Sequence, residues 1–261
     1  MNRLVDTHCH LDSKYSHKSA AQLISEARLA GISKLITVAT GADNLLAVRE
    51  ISEKNEGVFH TAGVHPHDSS GFLDNHLKLI AEETRHPLCK AIGEIGLDYH
   101  YDSSPRDVQK EVFSKQLSVA VAAKKPVIVH SREAEEDTLA ILKEYVSKLT
   151  KDQIPGVLHC FTSSLQFGLK CLDLGFYISF AGIITFKNAT ELHECVKKFP
   201  LERLLIETDS PFLAPVPFRG KKCEPSMLPS TAKKIAELRQ VDLEKVAEQT
   251  TLNATQVFNL S

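Results

Sequence analysis

RLVDTHCH, residues 3–10, opens a pattern that recurs along the whole chain. A short apolar, β-branched run at residues 3–7 leads into polar residues, and the helical stretch SAAQLISEARLA follows at residues 19–30. The next apolar run, KLITVA, occupies residues 34–39. Continuous apolar runs of this length are typical of strands that are buried on both faces of a parallel sheet. Each unit is therefore interpreted as a strand followed by a helix.

The chain contains eight such apolar runs, and amphipathic helical patterns lie between them. The runs occupy residues 3–7, 34–39, 58–64, 89–93, 126–129, 156–158, 176–180 and 204–207, and the helical patterns occupy residues 19–30, 107–123, 139–149 and 189–199. Eight strands that alternate with helices over about 250 residues predict a (β/α)8 TIM barrel. A doubly wound open sheet is the alternative. Residues 228–258 hold two further helical patterns, which we expect to pack outside the barrel.

Composition and charge narrow the class of protein. The 261 residues are 43% hydrophobic and 25% charged, and no low-complexity segment divides them, so we expect one domain over residues 1–261. The formal net charge of −2 disfavours a protein that coats nucleic acid through bulk electrostatics, and it does not bear on catalysis. We expect a monomer.

The location of the protein is predicted from its apolar segments. No apolar run approaches the roughly 20 residues that a membrane helix needs, and the first ten residues lack the apolar segment of a secretory signal. We therefore expect a cytoplasmic protein without membrane contact. The six cysteines include no C-x-x-C pair and are expected to be free.

Ionisable residues recur at the carboxyl ends of the predicted strands. In a barrel these ends converge on one mouth, where active sites lie. Residues scattered over 200 positions would then meet in space. They are His8, His10, His65, His67, Glu94, His130, His159 and Asp209.

The pair His8-x-His10 is the first candidate for metal binding. Residues two apart on a strand point to the same face, so both imidazoles can reach one ion. Two hydrogen-bonded histidines on a wet surface are the alternative. Metal binding is favoured by the further candidate ligands at equivalent strand ends, which are Glu94, His130, His159 and Asp209.

Other residues near these strand ends carry two interpretations each. His67 either contacts substrate or is solvated, and Arg132 either contacts a phosphate or pairs with an acidic neighbour. Tyr99 and Tyr101 either stack on an entering base or pack within their loop.

A third group of residues is expected to play no part in the site. Cys9 and Cys160 alternate with the candidate ligands along their strands and are expected to pack in the core. His60 and His86 fit no strand-end pattern, and we expect them to be solvated or to cap helices.

Six motifs of the chain resemble those of the TatD deoxyribonucleases in order and spacing, and the resemblance covers essentially the whole chain. They are DTHCHLD (residues 6–12), GVHPH (63–67), GEIGLDYH (93–100), PVIVHSR (126–132), LHCF (158–161) and ETDSPFLAPVPFRGK (207–221). One position departs from the family pattern. Cys223 stands in RGKKCEP where the family often has Asn, and we expect it on a loop at the mouth, where it would affect substrate contact more than stability.

The resemblance implies a barrel of the metal-dependent hydrolase type with two divalent metal ions. By motif, one ion would be held by His8, His10, Glu94 and Asp209, and the second by Glu94, His130 and His159, with Glu94 bridging the two. The resemblance also places His65 beside the ions, where it would be catalytic or contact phosphate. Arg219 and Lys221 would bind substrate from the loop after the eighth strand.

Mixed imidazole and carboxylate ligands suit zinc, manganese or iron and tolerate magnesium, and the expected cofactor is a pair of divalent ions such as Zn, Mn or Mg. Two such ions can activate water and neutralise charge on a phosphoryl group. Asp209 is the best candidate for the base that takes the proton from water, and a plain ligand or a helix N-cap is its alternative role. Asp6, with the strand parity of His8, is a candidate partner for a ligand imidazole.

The expected function is hydrolysis of phosphodiester bonds, with DNA as partner and a 3′–5′ exonuclease preference for single strands. The alternatives are a small-molecule amidohydrolase or lactonase on the same barrel, and a non-catalytic barrel with structural metals. Glu94 stands where such amidohydrolases often carry a modified lysine, which favours the nuclease.

Overall fold

Eight parallel strands form one sheet in the computed structural model, which describes residues 4–15 and 18–260. Their spatial order follows their order in the chain, as in a TIM barrel, whereas a doubly wound sheet would reverse order at a switch point. The barrel prediction is therefore confirmed. The strands are β1 (Leu4–Cys9), β2 (Ile32–Thr37), β3 (Val58–Ala62), β4 (Cys89–Asp98), β5 (Val127–Arg132), β6 (Gly156–Leu158), β7 (Tyr177–Phe180) and β8 (Leu204–Ile206).

The seam between the first and last strands is closed by the residues that follow β8. Cys9 and Ser210 form an isolated parallel bridge. The Asp209 N–H donates to the His8 carbonyl at 2.9 Å, and the His10 N–H donates to the Ser210 carbonyl at 3.0 Å. The backbone that closes the barrel therefore also fixes candidate ligands from its two ends relative to one another.

Nine α-helices occur in the described part of the chain. They are α1 (Ala20–Leu29), α2 (Ala42–Lys54), α3 (Asp74–Glu83), α4 (Arg106–Ala123), α5 (Glu135–Ser147), α6 (Leu165–Asp173), α7 (Thr190–Lys198), α8 (Leu228–Arg239) and α9 (Leu243–Phe258). Helices α2, α3 and α6 were not among the predicted patterns. In α6 the reason is visible, because Gly168 weakens the helical pattern but is required by packing: a Cβ there would lie 2.2 Å from a ring carbon of Phe199.

Two strands run further toward the mouth than the apolar runs predicted. β4 continues through Glu94 to Asp98, and β5 continues through His130 to Arg132. Polar side chains near the mouth can stay in a strand, because there they face the cavity and not a packed core. Arg3, the predicted start of the first run, lies outside the described residues.

The helix α9 covers the end of the barrel opposite the mouth. Val257 and Phe258 belong to one apolar cluster with early strand residues such as Val5, Phe59 and Ala91. The two predicted helices are therefore present, the first as the eighth barrel helix and the second as a cap on the amino-terminal end of the strands. None of the helices in the described ranges has the length and apolar character to span a membrane. All six cysteines are free, as expected.

Candidate metal centre

The carboxyl ends of the strands surround a cavity of about 1340 Å³. Its floor carries most of the ionisable residues that the sequence analysis singled out, and His8 lies buried directly beneath it. The lining includes His10, His65, Glu94, His130, His159 and Asp209.

Glu94 lies at the centre of this cluster. Its Oε1 is 2.8 Å from His159 Nε2, 3.1 Å from His130 Nδ1 and 3.3 Å from His65 Nε2, while its Oε2 is 3.4 Å from His8 Nε2. Burial by itself would raise the pKa of Glu94, but attraction to His159 and His65 outweighs it and holds the pKa well below its usual range. One buried carboxylate thus faces imidazoles from four different strand ends.

Asp209 brings a second carboxylate to the same ring nitrogen of His8 that Glu94 approaches. Its Oδ1 lies 3.8 Å from Nε2 of His8 and 3.8 Å from Nε2 of His10. Burial raises the pKa of Asp209 to about 6, against the lowering effect of His8 and His159. Its backbone is in the left-handed region, with φ of 53°. A strained non-glycine residue of this kind is often found at functional sites.

The candidate ligand atoms at the mouth fall into three overlapping groups of three residues, and within each group the ligand atoms lie within 4.8 Å of one another. They are His8, His10 and Asp209; His8, Glu94 and His159; and His65, Glu94 and His130. His130 and His159, which the motifs assign to one ion, also lie close together, with 3.4 Å between His159 Nε2 and His130 Nδ1, and His65 joins His130 and Glu94 in one of the groups.

The buried imidazole of His8 tests whether metal ions fit. Neither ring nitrogen has a hydrogen-bond partner among the described residues, although the side chain is fully buried. Buried polar atoms without partners are costly and rare. A divalent cation shared with Glu94 or Asp209 would give His8 Nε2, the nitrogen that both carboxylates approach, a partner. The residues present therefore fit such an ion.

Asp98, which the sequence analysis missed, holds two of the mouth histidines. Its Oδ2 accepts hydrogen bonds from His130 Nε2 at 3.0 Å and His67 Nε2 at 2.9 Å. Burial favours a raised pKa for Asp98, but these two bonds reverse the effect and hold the pKa well below its usual range. The bond to His130 leaves its Nδ1 facing Glu94, which is how outer carboxylates orient metal-ligating histidines. The available signal was Asp98's position in the GEIGLDYH motif, four residues after Glu94 on one strand.

Glu207, also missed, does the same for His159. Its Oε1 lies 3.2 Å from His159 Nδ1 and accepts from the backbone N–H of Cys160. Burial by itself would raise the pKa of Glu207, but attraction to His159 lowers it. His159 Nε2 is thereby directed at Glu94. The signal in the sequence was its place two residues before Asp209 in the same motif.

Asp6 does not hold an imidazole, so that expectation is wrong. Its carboxyl accepts from the Thr208 hydroxyl at 2.6 Å, the Thr208 N–H at 3.0 Å and the His8 N–H at 3.3 Å. Burial raises the pKa of Asp6 to about 8, opposed by the Thr208 bonds. It joins β1 to the segment after β8, because its side chain reaches the barrel seam and not the mouth.

Three of the residues predicted to contact substrate, His67, Arg132 and Tyr99, line the cavity. The Arg132 guanidinium lies 4.8 Å from the ring centre of Tyr101. The Tyr99 hydroxyl donates to Asp137 at 2.6 Å and Arg106 covers its ring, as expected for packing within the loop, although Tyr99 also lines the cavity.

Arg219 and Lys221 are exposed and are not among the residues that line the cavity. Arg219 lies 3.7 Å above the ring centre of Phe186. Their role in substrate binding stays a prediction.

Three expectations about other residues are wrong. Cys160 lines the cavity, because β6 ends at Leu158 and the left-handed backbone of Cys160, with φ of 42°, does not continue the alternation of the strand. His60 is fully buried between β3 and the helices, where it contacts Ser52 and Glu83. Cys223 is 2% exposed and packs in a small apolar cluster beneath its loop.

Comparison with known proteins agrees with this geometry. The family model described as TatD related DNase matches residues 5–259. The uncharacterized metal-dependent hydrolase YabD of Bacillus subtilis (strain 168) is 40% identical over 258 residues, covering 99% of this chain and 100% of the relative. The 3′-5′ ssDNA/RNA exonuclease TatD of Klebsiella pneumoniae (strain 342) is 33% identical, covering 98% of both chains. The crystal structure of YJJV, a TatD homologue from Escherichia coli K12, superposes with a TM-score of 0.91 at 30% identity, covering 99% of this chain and 98% of that one.

Proposed function

Because the chain belongs to the family of TatD-related DNases, whose relatives include named metal-dependent hydrolases, we propose that it hydrolyses phosphodiester bonds in DNA. The observation that carries the proposal is the position of Glu94, whose two carboxylate oxygens face different imidazoles. A carboxylate shared in this way suits a pair of ions. The name of the Klebsiella relative supports a single-stranded substrate and attack from the 3′ end.

The proposed ligands divide around Glu94. His8, His10 and Asp209 would hold one ion together with Glu94, and His130 and His159 would complete the second. His65, at 3.3 Å from Glu94, lies close enough to ligate or to contact phosphate. When bound, two divalent ions activate water and neutralise the charge that grows on a phosphoryl group. Zn, Mn and Mg all suit these donors.

The residues of the chain have separate tasks in this proposal. Asp209 is assigned as the acceptor of the proton from the attacking water, because its carboxylate lines the cavity and lies 3.8 Å from the ring nitrogens of both His8 and His10. Asp98 and Glu207 hold the imidazoles of His130 and His159 with one nitrogen toward Glu94. Arg132 stands at the cavity wall, where it can pair with a phosphate.

The charge of the cavity lining favours a substrate that enters by its end. Acidic residues outnumber basic ones in this lining, which disfavours long contacts with a polyanion. A single free end needs few phosphate contacts outside the cluster. The acidic lining residues beyond the cluster are Asp68, Glu133, Glu135, Glu136, Asp137 and Glu191, and the basic ones are Lys14, Arg106 and Arg132.

The test is an activity panel on purified protein that has been stripped of metal and reloaded with Zn²⁺, Mn²⁺ or Mg²⁺. The substrates are end-labelled linear single-stranded DNA, blunt duplex, circular single-stranded DNA, and a set of lactones and amides. We expect stepwise shortening of the linear strand from its 3′ end, slower action on the duplex and none on the circle. Cleavage of the circle would contradict the need for an end, and turnover only of lactones or amides would overturn the nuclease.

The number of ions is measured separately. Elemental analysis of the reloaded protein should give two divalent ions per chain. One tightly held ion, with His130 and His159 unligated in anomalous scattering maps, would contradict the paired centre.

A further inference from the structure

A large apolar ring stands open at the mouth beside the metal cluster. Phe212, three residues after Asp209, is 49% exposed and lines the cavity. The rings of His10 and Tyr15 form T-shaped pairs with it, with centroids 6.3 Å and 6.2 Å away. Such contacts favour one orientation of the ring, and its exposure leaves surface open to a further aromatic group.

The position of Phe212 is tied to the candidate ligands. Its N–H donates to the Asp209 carbonyl at 2.9 Å, so a tight turn joins the two residues. Ile183 and Leu213 continue the same wall, and all three line the cavity. The backbone behind them is closely packed, since a Cβ on Gly182 would lie 2.3 Å from the Leu213 carbonyl oxygen. The wall is therefore apolar and held firmly beside the cluster.

The opposite wall differs in chemistry. Tyr101 is also exposed, at 58%, but the Arg132 guanidinium lies 4.8 Å from its ring centre. The rings of His67 and His100 form T-shaped pairs with it, with centroids 5.4 Å and 4.8 Å away. This wall thus presents a covered ring and a cation, and it suits phosphate better than a base.

We propose that the face of Phe212 is the stacking surface for the nucleobase of the nucleotide released from the substrate end. The inference rests on the proposed function and adds the recognition of a base to it. In a nucleotide the base and the phosphate are joined through one sugar. A base on Phe212 therefore places its own phosphate next to His10 and Asp209. Stacking on an aromatic side chain accepts any base, so the site reads the presence of a base and not its identity.

Fluorescence offers a direct test, because the chain contains no tryptophan. Phe212→Trp introduces a single indole at the proposed surface, and Tyr101→Trp introduces one on the opposite wall as a matched control. Both metal-loaded variants are titrated with deoxyadenosine 5′-monophosphate and with deoxyribose 5-phosphate. We expect the nucleotide to quench the Phe212→Trp signal strongly, and the sugar phosphate to leave it unchanged. The Tyr101→Trp signal should respond equally to both ligands.

A quench that is the same for nucleotide and sugar phosphate would overturn the proposal. So would a Phe212→Trp signal that stays constant while equilibrium dialysis shows the nucleotide bound.

Kinetics provide a second arm that separates this inference from the proposed function. Wild type and Phe212→Ala are compared on a single-stranded oligonucleotide with a normal 3′-terminal residue and on the same strand with an abasic 3′ terminus. Loss of stacking should raise KM for the normal strand by about five- to a hundredfold, with little change in kcat and little effect on the abasic strand. Phe212→Tyr should restore KM.

An equal loss on both strands would overturn the stacking role while leaving the nuclease in place. No cleavage of either strand by the wild type would overturn the nuclease, and this inference with it. Thermal unfolding of Phe212→Ala, expected to match the wild type because the ring is half exposed, controls for folding.

Discussion

Two regions of this molecule gather imidazoles around a carboxylate, and they differ in how those groups are satisfied. The mouth cluster consists of the groups around Glu94 and Asp209, and the lateral cluster consists of His60, Glu83 and His86 between β3 and the helices. In both clusters the nitrogen and oxygen atoms that could bind an ion lie within 4.8 Å of one another in groups of three residues. At the mouth, however, both ring nitrogens of the buried His8 lack a hydrogen-bond partner among the described residues.

In the lateral cluster the protein itself supplies partners for the ring nitrogens. The Ser52 hydroxyl lies 2.8 Å from His60 Nδ1 and 2.7 Å from the Arg49 carbonyl oxygen. His60 Nε2 lies 2.9 Å from Glu83 Oε1, so both ring nitrogens have a hydrogen-bond partner. Arg49 contacts the other Glu83 oxygen.

His86 is satisfied in the same way. Its Nδ1 accepts from the Leu88 N–H at 3.2 Å, which leaves Nε2 to donate to Glu53 at 3.0 Å. An ion would have to break these bonds. Of these two clusters, only the mouth cluster contains a buried imidazole with no hydrogen-bond partner among the described residues, and this difference favours the mouth as the metal site.

The largest expected effect distinguishes Glu94, the central carboxylate of the mouth cluster, from Glu83, the carboxylate of the lateral cluster. Glu94→Gln should lower kcat/KM by about a thousandfold or more, because it removes the charge shared by both ligand groups. It should also reduce the metal content measured by elemental analysis. Glu83→Gln is the matched control, with activity and metal content unchanged. Full metal content and activity in Glu94→Gln would remove the distinction between the clusters.

The second effect concerns the other carboxylate of the mouth. Asp209→Asn keeps the shape of the side chain but cannot take a proton, so kcat should fall by about 100- to 10,000-fold. The metal content should change less than in Glu94→Gln. Single-turnover assays at saturating metal measure the loss, and near wild-type kcat would show that Asp209 is not the proton acceptor.

The third effect tests whether the lateral cluster is structural. Glu83→Ala leaves His60 and Arg49 without their partner and should lower the free energy of unfolding by about 1–3 kcal/mol. Glu83→Gln should recover part of this, because its amide can still hydrogen-bond with His60 Nε2. Urea unfolding of both variants makes the measurement. Loss of bound metal from Glu83→Ala, without loss of stability, would show an ion site instead.

The smallest effect concerns Cys223, which was expected on a mouth loop but is buried. It packs with Ala214 and Met227, and its Sγ lies 3.7 Å from the Thr208 carbonyl. Cys223→Asn buries an amide among apolar neighbours and should cost about 1–2 kcal/mol of unfolding free energy. Cys223→Ala should cost less. KM is expected to stay at the wild-type value, and a change in KM without loss of stability would restore the loop interpretation.

The barrel and the place of its mouth could be predicted from the sequence, because apolar runs and helical periodicity are local properties. The polar residues that follow those runs must meet where parallel strands end, and so His8, Glu94 and Asp209 could be named as a group. Helix α6 was harder to predict, since Gly168 is explained only by the nearby ring of Phe199.

Local sequence patterns thus specify the architecture and the residue types gathered at one end of the barrel. Which of these groups find hydrogen-bond partners within the protein depends on the folded structure. Ser52 and Glu83 supply hydrogen-bond partners for His60, whereas the ring nitrogens of His8 have none among the described residues. Strand alternation predicted a buried Cys160, but this residue follows the end of β6 and has a left-handed backbone. The physical reason is that periodicity fixes the face on which a side chain lies. Hydrogen-bond satisfaction depends on distances of about 3 Å between residues far apart in the chain, and such distances exist only after folding.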